Sequence, residues 1–136
     1  METKDKQLLL KDLCARLPYG IKVCYVTLPD SMPKVWDLIG MPAPHLADII
    51  VEGKYRYAAC DIEENIKPYL RPMSSMTEEE KEEFDTFKFL ANTGDKYLSY
   101  EMSRFVDWLN QHMFDYRGLI LKGLALEAPE GMYNLA

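Results

Sequence analysis

The stretch from Ile66 to Glu80 constrains this chain most, because Pro68 and Pro72 stand immediately ahead of a strong helix start. Proline fixes φ, donates no backbone hydrogen bond and pushes its predecessor out of the helical region. Ile66 to Arg71 is therefore expected to be extended or polyproline-like, a strap carrying Lys67, Tyr69 and Arg71. Thr77 and Glu80 then form a capping box: the threonine hydroxyl accepts from the amide three residues on, and the glutamate reaches back to the threonine amide. Glu78, Glu79 and Glu80 also meet the positive end of the helix dipole. The spacing predicts an acidic, capped helix near 77–91, with Phe84, Phe87 and Leu90 on its buried side and a stop near Asn92-Thr93-Gly94. That first turn reads as a solvated face rather than a cation site.

The remaining elements follow from periodicity. Leu8, Leu9, Leu13 and Leu17 recur at helical spacing, and Pro18-Tyr19-Gly20 ends the pattern, so an N-terminal helix is expected at roughly 4–17. Ile21 to Leu28 is rich in β-branched and aromatic residues and reads as a strand. Residues 29–45 hold Pro29, Pro33, Pro42, Pro44 and Gly40, which points to an ordered loop with room only for a short element around Val35 to Ile39. Leu46 to Val51 and Lys54 to Ala58 fit a hairpin near 46–58 turning at Glu52-Gly53. Residues 96–102 fit either a strand or the start of a helix. Phe105, Val106, Leu109 and Met113 continue at helical spacing. Asp115 is placed to cap a short helix over Tyr116 to Lys122, with Gly123 at its C′ position and Leu124 to Leu126 as a closing strand. Helices at both ends around a block of hairpin-joined strands make an α+β pattern, with a small antiparallel sheet in a single domain over 1–136.

Composition narrows the function. Of the 136 residues 48% are apolar, including nine Tyr, five Phe and two Trp, enough for one core. Leu8-Leu9-Leu10 is broken at once by Lys11 and Asp12, and no apolar run reaches the roughly 18 residues of a membrane span; a soluble, cytoplasmic chain is expected. Cys14, Cys24 and Cys60 form no Cys-x-x-Cys pair and read as buried free thiols in a reducing compartment. Residues 77–136 hold twelve acids against six bases, whereas residues 1–76 balance ten against ten. That balance argues against duplex nucleic acid as a direct partner. A nucleic-acid-associated role would need Lys22, Lys54, Arg56, Lys67 and Arg71 to converge on one face. Mimicry of nucleic acid by the acidic half is weaker still, because five of those acids lie in one helix start.

Candidates for chemistry are few. His112 stands three residues from Asp115, a spacing at which a carboxylate can orient an imidazole, and the pair is the alternative reading as a small hydrolase. Ser99 and Ser103 are the nearest nucleophiles, and no nucleophile elbow occurs. His45, Asp48 and Cys60 match no familiar metal spacing. No phosphate-binding glycine loop is present, so no cofactor is expected. Tyr69 and Arg71, together with Trp108 and Arg117, are of the residue types enriched at binding hot spots.

Three blocks, Leu8 to Gly20, Ile66 to Glu83 and Val106 to Ile120 with its continuation Gly123 to Pro129, together resemble a family of small proteins of gut Bacteroides-type bacteria and their prophages or mobile elements. They span about two-fifths of the chain. The family has no established activity, so the resemblance implies a setting and no mechanism. The expectation is a non-catalytic protein-interaction domain with Lys67, Tyr69, Arg71, Trp108 and Arg117 as its candidate binding surface, an unknown protein partner, no metal, and an open oligomeric state.

Overall fold

The computed structural model describes residues 3–25, 34–43, 48–52, 57–61, 66–91 and 98–133. Helix α1 (Thr3–Arg16) turns Leu9 and Leu13, one turn apart, into the interior, where both are fully buried. It tightens into a 3-10 turn over Leu17–Tyr19 and stops at Gly20, whose φ of 82° is a conformation that suits glycine.

Strands β1 (Lys22–Tyr25), β2 (Lys34–Ala43), β3 (Asp48–Glu52), β4 (Tyr57–Asp61), β5 (Ile66–Leu70) and β6 (Leu126–Glu127) form one sheet in the order β4-β3-β2-β1-β5-β6. Helices α2 (Glu78–Ala91) and α3 (Leu98–Gln111) complete an α+β fold. Four ladders are antiparallel, but β6 returns from the C-terminal region parallel to β5, pairing Tyr69 with Leu126. The sheet is thus mixed rather than purely antiparallel.

Several expectations are corrected. The proline-rich stretch holds a ten-residue strand, β2, because its prolines sit where a strand tolerates them: Pro42 falls within a register shift between Gly40 and Ala43. The hairpin is displaced: Glu52 pairs with Tyr57, so four residues separate the strands instead of the expected Glu52-Gly53 turn. The strap is a β-strand in the sheet interior, with alternating burial. Pro68, which cannot donate, pairs with Val23, and β6 lines up beside β5 only from Tyr69 onward. Residues 96–102 include the start of α3 at Leu98, while residues 26–28 and 92–97 lie outside the described residues.

No regular helix forms over Tyr116 to Lys122. A single turn stands there instead, with the Asp115 carboxylate accepting from the amides of Leu119 and Ile120 at 2.8 and 2.9 Å. It closes as a Schellman motif, Leu124 N–H to the Leu119 carbonyl and Gly123 N–H to the Ile120 carbonyl, with Leu119 and Leu124 both buried. The same motif ends α3: Phe114 N–H reaches the Leu109 carbonyl and Met113 N–H the Asn110 carbonyl. Here the C′ residue is Met113, at φ 61°, the one described non-glycine residue with positive φ. A left-handed conformation costs such a residue roughly 1–2 kcal/mol. Met113 is 1% exposed, and its side chain fills the core, which offsets that strain.

One core cluster unites Leu9 and Leu13 of α1 with Ile21, just ahead of β1, with Val23, Trp36, Leu38, Ile66 and Leu70 of the sheet and with Met113, Leu119 and Leu124. A second joins Trp108, Leu109 and Phe114 to the half-buried Phe84, Phe87 and Phe105. Phe84 meets Phe105 edge to face at 5.4 Å, an arrangement worth about 0.5–1.5 kcal/mol beyond area burial. No described helix is long and apolar enough to cross a membrane.

Candidate functional site

Two arginines organise the corner where α3 ends. Arg71 follows β5 directly, and its backbone bridges the chain at Phe114: its N–H donates to the Met113 carbonyl at 2.7 Å and its carbonyl accepts from Asp115 at 2.9 Å. Its guanidinium lies 4.4 Å from the centre of the Phe114 ring. From there it donates to both Glu80 oxygens at 2.7 Å, the bidentate fork that suits carboxylates. Glu80 closes the expected capping box, accepting from the Thr77 amide at 2.9 Å while its own amide donates to the Thr77 hydroxyl at 3.2 Å. The Arg71 hydrogen bonds, opposed by burial and helped by Thr77, hold the Glu80 carboxyl at a pKa of about 2. Glu80 is therefore buried and paired, not part of a solvated acidic face.

The second arginine, Arg16, is fully buried with Asp12 one turn before it. Arg16 Nε donates to both Asp12 oxygens at 3.0 Å and Nη2 donates to the Phe114 carbonyl at 2.6 Å, while Nη1 has no hydrogen-bond partner among the described residues. Arg117 donates to Asp12 at 2.6 Å and lies 4.5 Å from the Tyr116 ring centre, and Arg16 lies 5.4 Å from the same ring. The Tyr116 hydroxyl donates to the buried Asn110.

The five candidate binding residues thus have different situations. Lys67 is exposed on β5. Tyr69 is half-buried, its phenol pKa raised by desolvation first and then by the neighbouring Cys24 thiol, and its carbonyl accepts from the Tyr133 hydroxyl at 2.7 Å. Arg71 is engaged by Glu80. Trp108 is buried and donates to Glu83 at 2.6 Å, and Arg117 is engaged by Asp12. Of the cysteines, Cys24 is buried but Cys14 is exposed, contrary to expectation, because it lies off the buried face of α1.

The structure does not pair His112 with Asp115. The His112 ring bonds the Trp108 carbonyl through Nδ1 at 2.9 Å and sits 4.6 Å from the Trp108 ring, whereas Asp115 is occupied by the two backbone amides of its turn. Lys22 is paired across the sheet with Asp37 at 2.8 Å, and Arg71 with Glu80 at 2.7 Å. Lys54, Arg56 and His45 lie outside the described residues. No group of three or more described His, Cys, Asp or Glu residues is placed to hold a metal ion.

Beside this corner lies an open groove of about 620 Å³ between the start of α2 and the segment after β6. Glu79, Glu80, Glu83, Glu127 and Glu130 line it, with Arg71, His112 and Tyr133. Arg71 is already neutralised by Glu80, so Glu79, Glu83, Glu127 and Glu130 dominate the field in the groove. The Tyr133 hydroxyl accepts from the Lys22 amide and donates to the Tyr69 carbonyl, which ties the groove's C-terminal wall to β1 and β5; burial raises its phenol pKa. Comparison with family models, with curated proteins and with solved structures gives no match.

Sequence reasoning missed the groove because Glu127 and Glu130 are some fifty residues from Glu79. It also assigned Glu80 wholly to its own helix. The available signal was the short span from Arg71 to the capping-box glutamate, which a tight turn brings within reach.

Proposed function

We propose that this chain is a non-catalytic, cytoplasmic protein-interaction domain, of phage or mobile-element origin as its three resembling blocks imply, that receives a basic segment of a partner protein in the groove beside Arg71. The observation that carries this reading is the charge of the groove: four carboxylates, Glu79, Glu83, Glu127 and Glu130, beyond the mutually neutralised Arg71–Glu80 pair. Arg71, Trp108 and Arg117 support it from behind, fixing α2 and the α3 end so that the groove walls keep their shape. Preformed walls lower the ordering cost of binding. The His112 and Asp115 side chains lack the mutual contact that a hydrolytic reading needs.

A fluorescein-labelled arginine-rich peptide of about twelve residues tests this, with an acidic peptide of equal length as control. Binding by anisotropy should weaken about tenfold or more in a Glu79→Lys, Glu127→Lys, Glu130→Lys variant and should fall with added salt. Equal affinity of parent and variant for the basic peptide would refute the groove as the docking site.

A further inference from the structure

Trp108 holds two groove residues at once. Its indole Nε1–H donates to one oxygen of Glu83 at 2.6 Å, and its carbonyl engages Nδ1 of His112 at 2.9 Å while the two rings lie 4.6 Å apart. The His112 ring also lies parallel to Phe114, at 6.2 Å with 6° between the planes. A carbonyl only accepts, so Nδ1 carries the proton, and Nε2 of the neutral ring presents a lone pair. Neither Nε2 nor the second Glu83 oxygen has a hydrogen-bond partner among the described residues, and both residues line the groove.

The groove thus offers two oriented acceptors, an anionic oxygen from α2 and a neutral nitrogen from the end of α3. A guanidinium is a planar fork of five donors and can engage such a pair together, whereas an ammonium is a point charge that any carboxylate satisfies. Resting on the reading of the groove as the receptor of a basic segment, we propose that Glu83 and His112 select arginine over lysine in that segment, with Trp108 positioning both. A second proton on His112 turns Nε2 into a donor and sets a cation against the guanidinium, so the preference for arginine shrinks as pH falls. The charged and titratable groups that line the groove with the ring are Glu79, Glu80 and Glu83 from α2, Arg71 after β5, and Glu127, Glu130 and Tyr133 from β6 onward. Glu80 titrates near 2 and burial raises the Tyr133 phenol, so neither changes charge between about pH 8 and about pH 5.5. That window lies above the ordinary carboxylate range and spans the ordinary imidazole one.

The test titrates the full-length parent, His112→Phe and Glu83→Gln with two fluorescein-labelled peptides of equal length and charge, one built on arginine and one on lysine, at about pH 8 and about pH 5.5. Far-UV circular dichroism checks that each variant is folded. By anisotropy the parent should bind the arginine peptide at least about fivefold more tightly than the lysine peptide at the higher pH, and the two should approach parity at the lower. His112→Phe keeps an aromatic ring on Trp108 but has no nitrogen, and it should bind both peptides alike at both pH values. Glu83→Gln keeps an acceptor for the indole and should lose more affinity for the arginine peptide than for the lysine peptide. Equal affinity of the parent for the two peptides, a preference that His112→Phe retains or that the lower pH leaves unchanged, or an equal loss for both peptides in Glu83→Gln overturns the selecting pair while leaving the acidic groove in place. A parent that binds neither peptide removes the groove as a docking site, and the selection of arginine with it.

Discussion

The two halves of the sheet are held by different physics. Around β1 and β5, helix α1, the C-terminal turns and two arginines converge: Arg16 binds the Phe114 carbonyl from one side and Arg71 stacks on the Phe114 ring from the other, so a single residue is tied to α1, β5 and α2 together. Around β3 and β4 the principal described contacts are strand to strand, β3 with β2 and β4 with β3. The first half couples many elements through buried polar groups with few alternatives, which gives a rigid corner. The second depends on its ladder, whose register shifts between Leu38 and Ala43. Rigidity is therefore concentrated where the groove lies.

The comparison can be broken most directly at Arg16. Arg16→Met leaves Asp12 buried with Arg117 as its remaining cation and removes one of the two donors to the Phe114 carbonyl, the Tyr116 amide remaining, and a loss of about 3–5 kcal/mol in urea unfolding is expected. A loss below about 1 kcal/mol would show that the corner does not depend on that knot. Glu80→Gln comes next, at on the order of 2 kcal/mol near neutral pH. The sign follows from its pKa. Folded Glu80 titrates near 2, below the ordinary carboxylate value, so its contribution is complete above about pH 5 and is lost as pH falls toward 2. The parent should lose this increment between pH 5 and 2.5, and Glu80→Gln should show a flatter profile there.

A smaller effect sharpens the account of the α3 end. Met113→Ala and Met113→Gly both open the same space in the core, but only glycine relieves the positive φ. Both should be less stable than the parent, and the glycine variant should exceed the alanine variant by about 1 kcal/mol, the reverse of their order inside a helix. The smallest effect belongs to the exposed cross-strand pair: Lys22→Ala should cost less than about 1 kcal/mol, because water screens its contact with Asp37.

How much of this was legible in the sequence depends on range. The capping box at Thr77 and Glu80 and the glycine at position 123 were readable because each is settled within six residues by backbone geometry. The α+β class was readable from element types alone. Strand β2 was not, since proline count signals a break without showing that the prolines fall at a bulge and at the strand's flanks. The parallel return of β6 was hidden because it joins residues more than fifty apart. Among the site residues, the contact of Arg117 with Asp12 spans 105 positions, and nothing local in either segment announces it. The aromatic and cationic residues that suggested a binding surface, Arg71, Trp108 and Arg117, have the same chemistry whether they face a partner or one another. Only the fold distinguishes the two uses.

Hydrogen exchange followed by mass spectrometry at low micromolar concentration tests the central contrast most directly, because it reads opening free energies segment by segment. Peptides covering β5 with Arg71, and Met113 to Ala128, should exchange only through global unfolding, while those covering β3 and β4 should open at a free energy several kcal/mol lower. Equal opening free energies for the two regions would contradict the account.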